Sequence, residues 1–295
     1  MAVRPQSGSG PPAASPVARV AGLVRLTHPF PSLLDGAATL AIALLAGGAV
    51  PTAARLAIAM VCLQAAIGAV NDIVDAPRDA GRKPGKPIPA GLIPVPLAVG
   101  VALGAGIGGL ALSAVSGPAT VVVGTGILAI GLLYDLALRG TAWSWLPFAL
   151  GIPLLPVFAW LGAVGRLPAL FAVLVPVAFL AGAALAIANS LADVERDRDS
   201  GSSSVADRLG AARAWAVHAA LQALVGAVAL GTLFGARAGG LPLVAASVAA
   251  VVVAVGVGLG GSAAAGRRER GWELEAIGVA GLAAAWIAGL APIAG

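Results

Sequence analysis

Between Lys86 and Asp135 the chain runs for 48 residues without a charged side chain. An apolar helix needs about 20 residues to cross a bilayer, so this stretch has the length for two crossings. Ser116, Gly117 and Pro118 supply the turn between them. The composition agrees, with 59% of residues hydrophobic, 11% charged and a mean hydropathy of +0.96. Such values exclude an ordinary soluble domain and leave a membrane protein.

The same measure applied along the chain predicts nine spans, at 36–50, 54–71, 92–114, 118–138, 143–163, 168–190, 214–234, 241–262 and 274–292. None shows the strict alternation of a barrel strand, and lipid requires every backbone polar group to be satisfied within the spanning structure. The predicted fold is therefore all-α and polytopic. Gly100, Gly104 and Gly108 recur every four residues on the third span, which predicts a face for a closely approaching neighbour. Met1 to Val20, rich in Pro, Ser, Gly and Ala, reads as a disordered tail and does not have the pattern of a signal peptide. The lone Cys62 lies within the second span and rules out a disulfide framework.

The net charge of +5 reports orientation rather than affinity for nucleic acid. When the loops are assigned alternately to two sides, fifteen of the eighteen cations fall with the N-terminus and the loops after spans two, four, six and eight. Only Arg55, Arg166 and Arg237 fall on the other side. The positive-inside rule then predicts a cytoplasmic N-terminus and an extracytoplasmic C-terminus. Cations gathered at one mouth would also attract an anionic ligand.

Seven of the thirteen carboxylates form two clusters, Asp72, Asp75 and Asp79 after span two, and Asp193, Glu195, Asp197 and Asp199 after span six. Four spans separate them, an even number, so both face the same side of the membrane. On a helix, Asp72, Asp75 and Asp79 share one stripe, as do Asn189, Asp193 and Asp197. Like charges at this spacing repel, and a cation relieves the repulsion. Magnesium suits the task because it takes one or two carboxylates and completes its shell with water and phosphate oxygens. Two facing stripes thus point to Mg²⁺ bridging a diphosphate, with Arg78, Arg82, Lys83 and Lys86 neutralising the phosphates. Pro77, Pro84, Pro87 and Pro89 are expected to stop the helix and place these cations on a stiff covering loop.

The run Asn71-Asp72-x-x-Asp75-x-x-x-Asp79, with the following KPGKPIPAG, resembles the first signature of the UbiA superfamily of intramembrane prenyltransferases. Asp193-x-x-x-Asp197-x-x-x-Gly201 resembles the second. The resemblance extends over residues 21–295 and implies helices around a central cavity capped by cytoplasmic loops. It further implies transfer of a prenyl group from an allylic prenyl diphosphate to a small acceptor, often an aromatic ring. Asp72, Asp75 and Asp79 would hold one Mg²⁺, and Asp193 and Asp197 another, with Asn71 assisting. The segment YDLALRGTAWSWLPFALG resembles the stretch that brings a tyrosine and a cation to the diphosphate, here Tyr134 and Arg139.

The sequence departs from that pattern in places. His28-Pro29 stands where an Arg-Pro pair is common, with Arg25 three residues earlier, and His28 reads as an interfacial residue. Glu195 and Asp199 fall off the second stripe and read as partners of Arg196 and Arg198. Asp207 stands where an apolar residue is expected, and no lysine directly precedes Asp193. Trp143, Trp145 and Trp160 are candidates for cation–π support of a carbocation, although packing is the simpler role for each. Relatives with the same clamp cyclise prenyl diphosphates or transfer phosphoribose. A transporter is the reading from another class, and it is disfavoured because the predicted spans hold ionisable residues only near their ends. Acceptor, chain length and oligomeric state stay open.

Overall fold

The computed structural model describes residues 15–83, 85–195 and 204–291. Every regular element among them is helical: α1 (Pro16–Leu26), α2 (Pro29–Leu45), α3 (Val50–Asp79), α4 (Val95–Ala114), α5 (Pro118–Leu133) with a π-helical turn (Tyr134–Leu138), α6 (Leu146–Val164), α7 (Phe171–Ala192), the short α8 (Val205–Leu209), α9 (Ala211–Gly235), α10 (Gly240–Gly260) and α11 (Ala265–Leu290). Eight helices are long and apolar enough to cross a membrane. The pair α1 and α2, bent by 54° at a short break, makes a ninth if taken as one span.

Proline sets many of the starts. Pro16, Pro29, Pro51, Pro96, Pro118 and Pro147 each occupy the first or second position of a helix, where the missing N–H would have had no partner. The helices closest to the middle are α3, α6 and α7, whose apolar windows are 50%, 50% and 61% buried, against 22% and 17% for α4 and the α5 span. Asp72, Asp75 and Asp79 on α3 and Asp193 after α7 therefore sit at the ends of inner helices. One apolar core joins Ala43, Leu56, Met60, Ile127 and Phe158 between α2, α3, α5 and α6. A second gathers Trp160, Phe171, Leu174, Leu233 and Trp286 from α6, α7, α9 and α11.

Several boundaries differ from expectation. Pro16 to Val20, read as the end of the tail, already belong to α1. Span one begins earlier, at Pro29, and ends at Leu45, because the turn through Gly47 takes the residues that follow. Pro77 does not stop α3, which continues to Asp79; a proline this near a helix end removes little of the ladder. The final span starts at Ala265 rather than 274, since buried Arg268 finds acceptors at Leu191, Ser262 and Ala263 and lets the charged stretch stay helical.

The stripe of Gly100, Gly104 and Gly108 is not a contact face, for an added Cβ at each would meet open space. The close face of α4 lies on its other side, at Ala98, Ala102, Gly106 and Gly109, where a Cβ on Gly109 would come 3.0 Å from the Ala59 carbonyl oxygen of α3.

Candidate active site

A cavity of about 490 Å³ opens between α2, α3, α5, α6, α7 and α11. Its polar wall is made by His28, Asn71, Lys83, Lys86, Tyr134, Asp135, Arg139, Asn189, Asp193 and Glu269, and much of the remaining wall is apolar or aromatic. Residues from the ends of α3 and α7 thus reach one chamber, which the even number of intervening spans requires.

Each carboxylate of the first cluster rests on a cation. The three acids occupy the buried stripe of α3, where like charges without compensation would repel strongly. Asp72 Oδ1 accepts from His28 Nε2 at 2.8 Å and from Lys86 Nζ. Asp75 Oδ2 accepts from Arg139 Nη1, and Lys83 Nζ lies 3.1 Å from Asp79 Oδ1. Gly68 allows the first of these contacts, since a Cβ there would sit 3.0 Å from the His28 ring. His28 itself adopts a left-handed conformation, φ 47°, in the corner between α1 and α2.

The π-helical turn supplies the third wall. Its wider winding brings Tyr134, Asp135 and Arg139 onto the chamber together. Asn71 Nδ2 donates to Asp135 Oδ1 at 2.8 Å, and the Tyr134 ring meets Phe148 edge to face at 5.6 Å. Burial alone would lower the Arg139 guanidinium, but the acidic groups around it, Tyr134, Asp75, Asp135 and Asp79, offset that and raise it above its usual value. It remains a full cation whether or not a ligand is present.

In this arrangement no three ionisable ligands gather as one metal-holding group among the described residues. The physical reason is the pairing just described, in which protein cations do the neutralising. The donor set nevertheless fits a hard divalent ion. Asp72 Oδ2, Asp79 Oδ2 and Asp135 Oδ2 are buried with no hydrogen-bond donor, and a carboxylate oxygen in that state is short of a positive partner.

From the second cluster, Asn189 and Asp193 line the chamber, and the Asp193 N–H caps α7 by donating to the Asn189 carbonyl at 3.2 Å. Asp197 and Asp199, with Arg196 and Arg198, lie outside the described residues. Glu195 accepts from Arg268 of α11. Asp207 accepts from Ser204 Oγ at 2.8 Å, and Ser190 Oγ of α7 donates to Ser204 Oγ at 2.8 Å, so this acid helps tie the start of α8 to α7.

Not every predicted cation arrives. Arg78 follows the buried stripe of α3 but projects outward, a turn of 100° from Asp79, and Arg82 is exposed in the turn at Gly81. Arg25 does not line the main chamber but an adjoining surface cavity of about 360 Å³, which shares His28, Lys83 and Lys86 with it and also takes in Asp72. The tryptophans proposed for carbocation support are also elsewhere. Trp143 is 60% exposed and stacks on Trp145, while Trp160 packs on Phe171 in the core. The aromatic rings of the chamber are Phe30, Tyr134, Phe148 and Trp272.

Sequence reasoning missed His28, Asp35, Gln64 and Asp135. A signal existed for Asp135, the acid that ends the 48-residue uncharged run beside the only tyrosine. For His28 and Gln64 no local pattern reveals the contact, because their partners lie 44 and 29 residues away.

The UbiA prenyltransferase family model matches residues 36–270, 235 of the 295 residues. The chain belongs to the UbiA prenyltransferase family. It is a membrane prenyltransferase. A curated relative, digeranylgeranylglyceryl phosphate synthase of Methanoregula boonei, is 30% identical over 199 residues, 65% of this prenyltransferase and 69% of that protein. The UbiA fold recurs in solved structures. An apo UbiA homolog from Aeropyrum pernix K1 has a TM-score of 0.70 at 21% identity, covering 89% of this chain and 96% of the other. A UbiA homolog from Archaeoglobus fulgidus, bound to GPP and Mg²⁺, has a TM-score of 0.65 at 17% identity, covering 89% and 99%.

Proposed function

We propose that the chamber binds an allylic prenyl diphosphate with its diphosphate at the polar mouth, and that the prenyl group passes to a small acceptor. The observation that carries this reading is the gathering of Lys83, Lys86, Tyr134, Arg139, Asn189 and Asp193 around one chamber whose remaining lining is largely apolar. Support comes from the Archaeoglobus fulgidus homolog bound to GPP and Mg²⁺ and from the Methanoregula boonei synthase.

Asp72, Asp75 and Asp79 of α3, together with Asp193 and Asp197, would hold Mg²⁺, with the unpartnered oxygens of Asp72 and Asp79 as the first ligands. When bound, Mg²⁺ neutralises the diphosphate and makes it a better leaving group. The chain's own part is positional. Arg139, Lys86 and Lys83 are held beside the mouth as ready counter-charges for the departing diphosphate. Asn71 fixes Asp135, and Tyr134, braced by Phe148, points its phenol wall at the same space. Apolar side chains below keep water from the carbon that loses the diphosphate.

The mouth opens on the side that carries fifteen of eighteen cations, which supports a cytoplasmic active site in the cell membrane. The test is direct: purified protein in lipid nanodiscs, Mg²⁺ and labelled prenyl diphosphates of several lengths, with diphosphate release followed in wild type, Asp72→Asn and Asp193→Asn. Equal release by all three would reject the site.

A further inference from the structure

Deep in the chamber lies a polar pair that diphosphate binding does not use. Gln64 Nε2 of α3 donates to Asp35 Oδ2 of α2 at 2.5 Å. The predicted first span begins at residue 36, just past Asp35, whereas Asp35 stands within α2 and faces the interior. Its surroundings on the chamber wall include Leu34, Met60, Ile67, Ile152 and Leu155. Asp35 also lines a smaller neighbouring cavity of about 100 Å³, and it is the only ionisable side chain among the described residues lining that space.

A hydrocarbon chain offers no hydrogen-bond donor. A carboxylate beside it loses solvation with nothing in return, at a cost of several kcal/mol for a poorly compensated group. Linking α2 to α3 is no sufficient reason for the pair either, since those helices already pack through apolar side chains around Leu56 and Met60. What an acid and an amide at this depth do suit is a ligand that carries a hydroxyl. Gln64 precedes Asn71 by seven residues, about 10 Å along α3 at 1.5 Å per residue. That interval has room for a diphosphate at the mouth and leaves the carbon that bears it above a group held at Asp35.

We propose that Asp35, oriented by Gln64, is the docking point and proton acceptor for a hydroxyl-bearing acceptor. The inference rests on the reading of the chamber as a prenyl diphosphate site. In the transfer, the acceptor oxygen forms a C–O bond to the first prenyl carbon. The bond from that carbon to the diphosphate breaks, and its electron pair leaves with the diphosphate. The acceptor's O–H proton passes to the Asp35 carboxylate, which afterwards releases it to water. Gln64 holds one carboxylate oxygen so that the other faces the incoming hydroxyl.

The experiment uses the full chain in nanodiscs with Mg²⁺ and geranyl diphosphate. An alkyl glycerol and an alkyl phenol serve as acceptors, and the methyl-capped form of each as control. Wild type is expected to prenylate the free hydroxyls and not the capped compounds. Asp35→Asn is nearly isosteric and still pairs with Gln64 after an amide flip. It should lower kcat for transfer at least about 100-fold, the usual scale for losing a general base, while KM for geranyl diphosphate moves less than about threefold. The ratio of diphosphate released to product formed should rise, and Asp35→Glu should restore part of the transfer. Gln64→Leu gives an independent reading, with a raised acceptor KM and a smaller loss in kcat.

Transfer by Asp35→Asn at the wild-type kcat overturns the proposal, as does a parallel loss of geranyl diphosphate affinity. Wild-type protein that binds geranyl diphosphate but accepts neither hydroxyl compound also overturns it and leaves the chamber reading intact. Failure of wild type to bind geranyl diphosphate, measured before any acceptor is added, refutes the chamber reading and this inference with it.

Discussion

Arg139, on the turn that follows α5, is bonded directly to Asp75 near the end of α3, 64 residues earlier in the chain. Lys86 makes the same kind of contact with Asp72. The cations suited to phosphate therefore rest on the acids suited to a metal. Entry of a metal-bound diphosphate is an exchange of partners: phosphate oxygens take over the cations, and the metal takes over the carboxylates. Such an arrangement keeps buried charges compensated in both states, which matters because an uncompensated one is far more costly than a paired one.

Removing one side of that exchange should affect folding and binding together. Arg139→Ala leaves Asp75 almost fully buried without its cation, and is expected to destabilise the protein by roughly 3 kcal/mol. Arg139→Lys preserves the charge but not the forked geometry, so the protein should stay folded while KM for prenyl diphosphate rises about tenfold. Thermal unfolding in nanodiscs and steady-state kinetics separate the two effects.

Asp72→Asn and Asp193→Asn should each reduce diphosphate release by about 100-fold or more, the scale seen when a transition-state charge contact is lost. Asp193 caps α7 through its backbone N–H, which the substitution retains. A large drop in stability with a proportionate loss of activity would assign these acids to packing instead.

Chelation gives a third expectation. EDTA should abolish turnover, and excess Mg²⁺ should restore it fully, because the carboxylates can return to Lys86, Arg139 and Lys83 while the metal is away. The apo protein should then keep its fold, with an unfolding temperature within a few degrees of the metal-loaded form in the absence of substrate. Irreversible loss of activity after chelation would argue against this resting arrangement.

The parts of this architecture that were legible in the sequence follow from long-range regularity. Span length and charge asymmetry depend on the bilayer rather than on particular neighbours, so the nine-span reading and the shared face of the two acid clusters could be reached by counting. Asp72, Asp193 and Tyr134 stood out because charge or uniqueness marked them against an apolar background. The remainder depends on helix rotation and on who meets whom. The glycine stripe at 100, 104 and 108 has a regular spacing on either face of α4, and only packing decides that Gly106 and Gly109 turn inward. Arg78 and Asp79 are adjacent in sequence yet face opposite environments. Asp35 appears peripheral until α2 is known to begin at Pro29, which moves it a full turn into the helix.

A buried hydrogen-bonded pair away from the chamber supplies a last prediction. His218 of α9 and Glu275 of α11 are both fully buried, with His218 Nε2 donating to Glu275 Oε2 at 2.5 Å, and Gln222 Nε2 donates to the same oxygen at 3.1 Å. The neighbouring α10 comes close enough that a Cβ on Gly256 would lie 2.7 Å from the Gly271 carbonyl oxygen. Replacing one partner, as in His218→Leu, leaves a fully buried carboxylate with Gln222 as its remaining donor, and should destabilise the protein by about 3–5 kcal/mol. Replacing both, His218→Leu with Glu275→Leu, removes the desolvation penalty along with the attraction and should return stability to within about 1 kcal/mol of wild type, or above it. Glu275 does not line the chamber, so the double variant should bind prenyl diphosphate normally. If it instead unfolds as readily as His218→Leu, the pair fixes the register of α9 against α11 in a way that apolar packing cannot replace.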